Sequence, residues 1–225
     1  MHLARFRALA LAGALLAPLS LAAARPRPRP QGDLLDRAVA AWAKVKTARA
    51  TFEQTITNSL TGRTLTATGE YQQQRPGKLS VKFDDPATDR IVADGKHVWL
   101  YLPSSAPGQV IRSRQGGDGT GTVDLTAQFL TTPRTRYTIT DAGKRVVSGR
   151  ATRGYTLVPK SASSVPFRTA TVFIDEADAT IRQFAVTEPN GLTRTVRLTS
   201  FRTNVPVDAG AFVFTPPAGT RVVER

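Results

Sequence analysis

Two periodicities divide this chain. Leu34, Leu35, Ala38, Val39, Trp42 and Val45 recur at helical spacing, which predicts one amphipathic helix from Asp33 to about Thr47 with Trp42 on its apolar face. Asp33, followed three residues later by Asp36, has the form of an N-cap with a capping box. After Thr47 the period falls to two. Phe52, Gln54 and Ile56 alternate with Thr51, Glu53 and Thr55, and Leu79, Val81 and Phe83 alternate with Ser80, Lys82 and Asp84. Leu65, Ala67, Gly69 and Tyr71 form another such face, and Ile91–Ala93 and Val98–Leu102 read as strands too. Further strands are expected at Tyr137–Thr140, Tyr155–Val158, Ala170–Ile174, Ile181–Val186, Thr193–Phe201 and Phe212–Phe214. Thr61-Gly62-Arg63, Asp94-Gly95 and Asn190-Gly191 supply hairpin turns between them. The pattern describes an antiparallel meander, and a sheet of about ten strands must curl.

Two stretches break the alternation. Gln115 to Gly121 is Gly-rich and precedes Val123 to Leu130, which has room for one or two helical turns. The Gly run lacks the Lys-Ser/Thr of a phosphate loop, so it reads as a hinge beside a short helix. At the start, Arg5 and Arg7 precede an apolar run from Ala8 to Leu21 that ends in Ala22-Ala23-Ala24. That is the form of a secretory signal peptide over residues 1–24, too short in its apolar core for a membrane span. Arg25 to Pro30 alternates Arg with Pro and reads as an extended, flexible arm over residues 25–31. Residues 32–225 are then a single domain, exported to the periplasm.

Composition narrows the chemistry. The 225 residues hold 31 Lys and Arg against 17 Asp and Glu, a formal charge of +14, with two His and no Cys. The missing Cys excludes disulfides, thiolate metal sites, thiol nucleophiles and lipid attachment through a cysteine, and so implies a soluble product. Only His97 would remain in a mature chain, so no metal site is expected, nor any cofactor. A hydrolase would need His97 near a Ser and a carboxylate, yet His97 begins a strand directly after a turn and no Gly-x-Ser-x-Gly occurs. The chain is therefore read as a non-enzyme. Its basic residues are scattered among turns without an aromatic-basic motif or recognition helix, which argues against a nucleic-acid partner.

Several short motifs occur in a set order. They are Phe52-Glu53-Gln54, Gly69-Glu70-Tyr71, Arg75-Pro76-Gly77-Lys78-Leu79, Ile91 to Lys96 and Val98-Trp99-Leu100-Tyr101. Tyr155 to Lys160, Ile181-Arg182-Gln183-Phe184 and Phe212 to Val222 continue the series. With this order and spacing the chain resembles the LolA family, periplasmic carriers of outer-membrane lipoproteins, from about Gly32 to Val223. The resemblance implies a mainly β fold: an incomplete, strongly curved antiparallel β-barrel closed by short α-helices around an apolar cavity. It implies acylated lipoproteins as cargo, an inner-membrane LolCDE-type ABC transporter as donor and, where present, an outer-membrane LolB-type receptor as acceptor. A monomer is expected. A periplasmic regulator that senses lipoproteins through the same fold is the alternative, although such proteins carry a further domain.

In the family pattern the Arg of the Arg-Pro pair bonds lid-helix backbone groups and holds the empty cavity shut, which assigns lid gating to Arg75. A guanidinium has five donors and suits the orphan carbonyls of a helix end. The expected acyl-binding wall comprises Trp42 from the helix, Ile56, Leu79, Val81 and Ile91 from the strands, and Phe129 and Leu130 from the lid. Leu79 and Val81 stand where the family commonly has Phe and Trp, so the wall fills less space here. Trp99 and Tyr101, opposite in parity to Val98 and Leu100, are expected to pack structurally, and Asp94-Gly95 to serve as a turn.

Overall fold

The computed structural model describes residues 33–116, 124–162 and 165–225. The expected signal peptide (residues 1–24), the expected Arg-Pro arm (25–31), most of the Gly-rich stretch and Val123 lie outside the described residues. Helix α1 is Leu34–Ala43, and α2 (Leu125–Leu130) and α3 (Pro133–Arg136) are short. Six strands precede α2: β1 Thr47–Asn58, β2 Thr64–Gln74, β3 Lys78–Asp85, β4 Arg90–Asp94, β5 His97–Tyr101 and β6 Gln109–Arg114. Six follow α3: β7 Tyr137–Val147, β8 Arg150–Pro159, β9 Thr169–Asp175, β10 Ile181–Thr187, β11 Leu192–Thr203 and β12 Arg221–Glu224.

All of them join one sheet in the order β12-β6-β5-β4-β3-β2-β1-β11-β10-β9-β8-β7. Two antiparallel meanders, β1 to β6 and β7 to β11, meet where β1 pairs with β11 from Ala48↔Thr203 to Asn58↔Leu192. The sheet is curved and unclosed, with β7 and β12 as its two edges. Alternation sends Ala48, Phe52, Phe83, Val172, Phe184 and Val196 to the inner face, where they form one core with Leu35, Ala38 and Trp42 of α1. The connection from β6 to β7 runs between opposite ends of the strand order, and α2 and α3 lie in it.

The end of the chain behaves differently from its sequence pattern. Phe212–Phe214 forms no strand; Ala209–Phe212 is a 3₁₀ turn, because the Asp208 carboxylate accepts the Gly210 N–H at 2.9 Å. The chain then crosses the outer face, and Phe214 packs on Trp99 and Tyr101 with ring centroids at 5.6 and 5.8 Å. Both rings thus point away from the core, as their parity requires. The crossing sets β12 parallel to β6, Arg221↔Gln109 to Glu224↔Arg112. Neither β6 nor β12 stands out in the sequence, since four to six residues between turns carry little periodicity.

Helix α1 also ends earlier than the pattern suggests. The Lys44 and Val45 N–H groups bond the Ala41 and Trp42 carbonyls, tightening the last turn, and Thr47 already pairs with Gln74 in the sheet. The capping box does not form. The Asp33 carboxylate accepts from the Tyr155 hydroxyl at 2.8 Å and from Arg134 at 2.9 Å, so tertiary donors outcompete the local helix N–H groups. The three turns stand where they were expected, with Gly62, Gly95 and Gly191 all at positive φ.

Gly69 illustrates how tightly the inner face is built. A Cβ there would lie 2.3 Å from the Lys82 carbonyl oxygen and 2.8 Å from the Phe52 ring. Gly69→Ala should therefore cost about 1–3 kcal/mol by overpacking, read as a lowered urea midpoint. An unchanged midpoint would show that Phe52 and β3 yield freely.

A lidded apolar cavity as candidate functional site

The inner face of the sheet leaves a cavity of about 410 Å³, within the roughly 300–1,000 Å³ typical of small-molecule sites. Phe52, Val81, Phe83, Ile91, Leu100, Phe184, Val196 and Leu198 wall it, while Thr126 and Gln128 of α2 and Pro166 cover it. Phe52 and Phe83 meet edge to face at 5.6 Å. A smaller hollow of about 270 Å³ lies beneath α1, lined by Ala38, Trp42, Val45 and Leu130. The two share Thr126, Leu198 and Phe201, so α2 is the divider between them. A third concavity, about 500 Å³, has a mixed lining in which Arg49, Glu70, Gln72, Ser200 and Arg202 stand beside Val205 and Pro206.

The helices are held over the hollow by a small number of polar contacts. Arg75 Nη1 donates to the carbonyls of Trp42 at 2.8 Å and Val45 at 3.2 Å, adding a second donor to the Trp42 carbonyl, which also accepts the Val45 N–H, and meeting the Val45 carbonyl just past the end of α1. Its guanidinium also sits 5.2 Å from the centroid of the Trp42 ring. At the other end of α1, Arg134 of α3 reaches Asp33 and Asp36. Partial burial works against ionisation of Asp33, but Tyr155 and Arg134 outweigh it and leave the carboxyl below its ordinary value. The Tyr155 hydroxyl is pushed up to about 12 by burial and by donating its proton to the hydrogen bond with the Asp33 carboxylate.

Helix α2 is tied to the same strand as α1. Asp124 caps it, accepting the Ala127 N–H at 2.9 Å, and its other oxygen accepts from Gln73 Nε2. Gln73 Oε1 in turn accepts the Tyr71 hydroxyl at 2.8 Å. Burial raises the Asp124 carboxyl above its ordinary range despite these donors and the nearby charge of Arg75. Tyr71 is held far above its ordinary range by burial and by Asp124. Tyr71 and Gln73 alternate along β2 and Arg75 directly follows its last residue, so this strand and the residue after it carry contacts to both helices. At the far end of α2, Arg136 and the Tyr137 hydroxyl donate to the Gln128 carbonyl at 3.1 and 3.0 Å.

The candidate wall residues divide. Val81 and Ile91 line the larger cavity, and Trp42 and Leu130 line the smaller one. Phe129 is fully buried, with Phe184 at 5.3 Å and Phe167 at 6.0 Å. Leu79 and Ile56 line neither cavity. Leu79 is buried with Ala93 and Val98 in a separate small cluster, because the register pairs these three across β3, β4 and β5 beyond the hollow. Ile56 pairs with Leu65, which is 63% exposed, at the other end of β1 past the reach of α2. Sequence alternation finds a face, not how far along it a lid extends.

Other lining residues were visible only as strand positions. Phe52, Phe83, Phe184 and Val196 belong to faces that alternation marked, but nothing distinguished them from ordinary core. Nothing in the sequence marked the pairing of Gln73 with Asp124 or of Arg194 with Gln54, since these partners lie 51 and 140 residues apart. His97 shares the outward parity of Trp99; its Nδ1 is 3.7 Å from Asp94 and its ring 6.1 Å from Trp99, away from the cavity. Asp94 does more than turn the chain. Burial opposes its charge, yet the donors from His97, Trp99 Nε1 and Lys96 hold its carboxyl below the ordinary range.

An unclosed sheet curved around an apolar hollow, with short helices bonded across it, defines a container for an apolar ligand. Residues 43–215 match the family described as Outer membrane lipoprotein carrier protein LolA, and the chain belongs to that family. Among its relatives is an outer-membrane lipoprotein carrier protein of Proteus mirabilis, 29% identical over 183 residues, covering 81% of this chain and 84% of that one. A protein of the same description from Pectobacterium carotovorum is 30% identical over 182 residues, covering 81% and 83%. In three dimensions, an uncharacterized conserved protein from Thermus thermophilus superposes with a TM-score of 0.53 at 14% identity, covering 85% of this chain and 97% of that one. That likeness is one of fold.

The buried Asp124 gives the lid a pH dependence of known sign. A carboxyl whose pKa is raised by folding favours the folded state most when protonated, and that contribution is lost as pH climbs through the raised value. Asp124→Asn keeps a capping oxygen without the charge. Its stability relative to wild type, from urea denaturation, should improve as pH rises from about 4. A difference independent of pH would mean that Asp124 is hydrated in the folded chain. Asp33 and Asp94, whose shifts have the opposite sign, cancel in this difference.

Proposed function

We propose that this chain is a periplasmic carrier that holds the acyl chains of outer-membrane lipoproteins in the hollow of its sheet. The observation that carries the reading is the apolar cavity of about 410 Å³ beneath helices attached through few polar contacts. Family membership supports it, as does the description of the curated relatives as lipoprotein carriers. No helix among the described residues is long and apolar enough to cross a membrane. An inner-membrane LolCDE-type ABC transporter is the proposed donor and a LolB-type receptor the proposed acceptor.

The energetics fit a shuttle. Burying acyl chain is worth about 0.8 kcal/mol per CH₂ relative to water, on the order of 10 kcal/mol for a long chain. Against a bilayer the same transfer is close to neutral, because lipid tails already lie in hydrocarbon. Loading therefore needs work from outside, and unloading needs only a somewhat better acceptor. Arg75 is the proposed gate. Cargo that parts α1 from the sheet forfeits the bonds from Arg75 to Trp42 and Val45, which keeps net affinity low enough for release.

Two measurements test this. Mass spectrometry of the protein isolated from periplasm should find acylated polypeptides bound, and their consistent absence would remove the cargo assignment. Arg75→Leu should load as well as wild type but pass cargo to an acceptor at least tenfold more slowly; transfer at the normal rate would remove the gate assignment.

A further inference from the structure

The cavity wall contains one charged side chain among the described residues that line it, Arg194 on β11. Cross-strand pairing places Arg194 beside Ile56 of β1 and Val186 of β10, one inner-face step beyond the Gln54–Val196 pair. The residue therefore stands at the rim, and its side chain is 35% exposed. It nevertheless turns inward, where Nη1 donates to Gln54 Oε1 at 3.0 Å. Gln54 is buried in the same wall. Glu188, the acidic neighbour, approaches Nη2 only to 4.0 Å, beyond hydrogen-bond distance. A guanidinium carries five N–H donors, and among the described residues it has that single hydrogen-bond acceptor.

A solvated surface arginine has no need of a buried glutamine. Holding a cation against Phe184 and Val196 costs hydration, and the cost is offset only when acceptors meet its donors. Gln54 meets one and fixes the plane of the guanidinium. The other N–H groups belong to a side chain at the rim of a hydrocarbon-sized hollow, where the polar end of a bound amphiphile would lie. Resting on the carrier reading above, we infer that Arg194, positioned by Gln54, binds the acyl carbonyl oxygen at the head of the chain. The site is thereby specific for acyl esters and amides over plain alkyl chains. Arg75 and Arg194 then have separate tasks: one bonds protein carbonyls of the lid, the other carbonyls of the cargo.

A matched pair of probes isolates this contact: a monoacylglycerol and the alkylglycerol ether of the same chain length, which lacks the carbonyl. Affinities are read by displacement of an apolar fluorescent dye. Wild type should bind the ester about tenfold tighter than the ether, the equivalent of one charge-assisted hydrogen bond. Arg194→Met, which keeps an apolar stem, should bind ester and ether alike at the wild-type ether affinity. Retained ether binding shows that the variant is folded; if it is lost, Arg194→Gln set against Arg194→Lys makes the same comparison with a polar tip kept. Equal binding of the two probes by wild type, or a preference that survives Arg194→Met, overturns the head-group assignment and leaves the carrier reading standing. Failure of wild type to bind either probe overturns both.

Discussion

Everything in this fold follows from where the strand order sends the chain between β6 and β7. These strands lie toward opposite ends of a twelve-stranded sheet, so the connection has to cross the hollow that the curvature makes. Short helices in that connection bury one side against the inner face and leave the other to solvent. α1 approaches from the opposite direction, since it feeds the central strand β1. The hollow is thus roofed by two helices of different origin, and neither is continuous with the sheet hydrogen bonding. A roof of that kind can be lifted without breaking a ladder.

What holds the roof is polar, although what it covers is apolar. Dispersion and apolar burial contribute most of the stability of such a core, but they are non-directional and tolerate sliding. Hydrogen bonds to helix ends fix position instead. Arg75 bonds two carbonyls at the C-terminal end of α1, and Gln73 bonds the carboxylate that caps α2. Each partner is partly or wholly removed from water, where an unmet polar group is costly. The closed arrangement is therefore well defined, yet it rests on few contacts. Arg194 applies the same principle at the mouth, with a buried glutamine aiming a cation that local structure alone would leave to solvent.

Legibility in the sequence followed the range of the interaction. The six apolar positions of α1, the alternation through β1 to β3 and the Gly turns depend on neighbours a few residues away, and each stood close to its expected place. The departures had three causes: distant partners, a nearby cap, and the limited reach of the roof. Asp33 and Asp36 formed no capping box because Tyr155 and Arg134 offered stronger partners. Phe212–Phe214 carried strand-like residues but met Asp208 on one side and Pro216-Pro217 on the other, and became a strap for Trp99 and Tyr101. Leu79 and Ile56 had the parity of the wall and lay beyond its ends.

From residue order alone came a curled antiparallel sheet with one amphipathic helix and the outward parity of Trp99 and Tyr101, while the family resemblance pointed to Arg75 as the partner of a helix end. Periodicity and turn chemistry are local, and local physics is written in consecutive residues. Only the folded chain decided which stretch of the inner face is roofed, that β2 and the residue after it carry contacts to both helices, and that Arg194 turns toward Gln54. Those outcomes depend on register and curvature between segments that lie 33 to 140 residues apart, and no local window of sequence contains both partners.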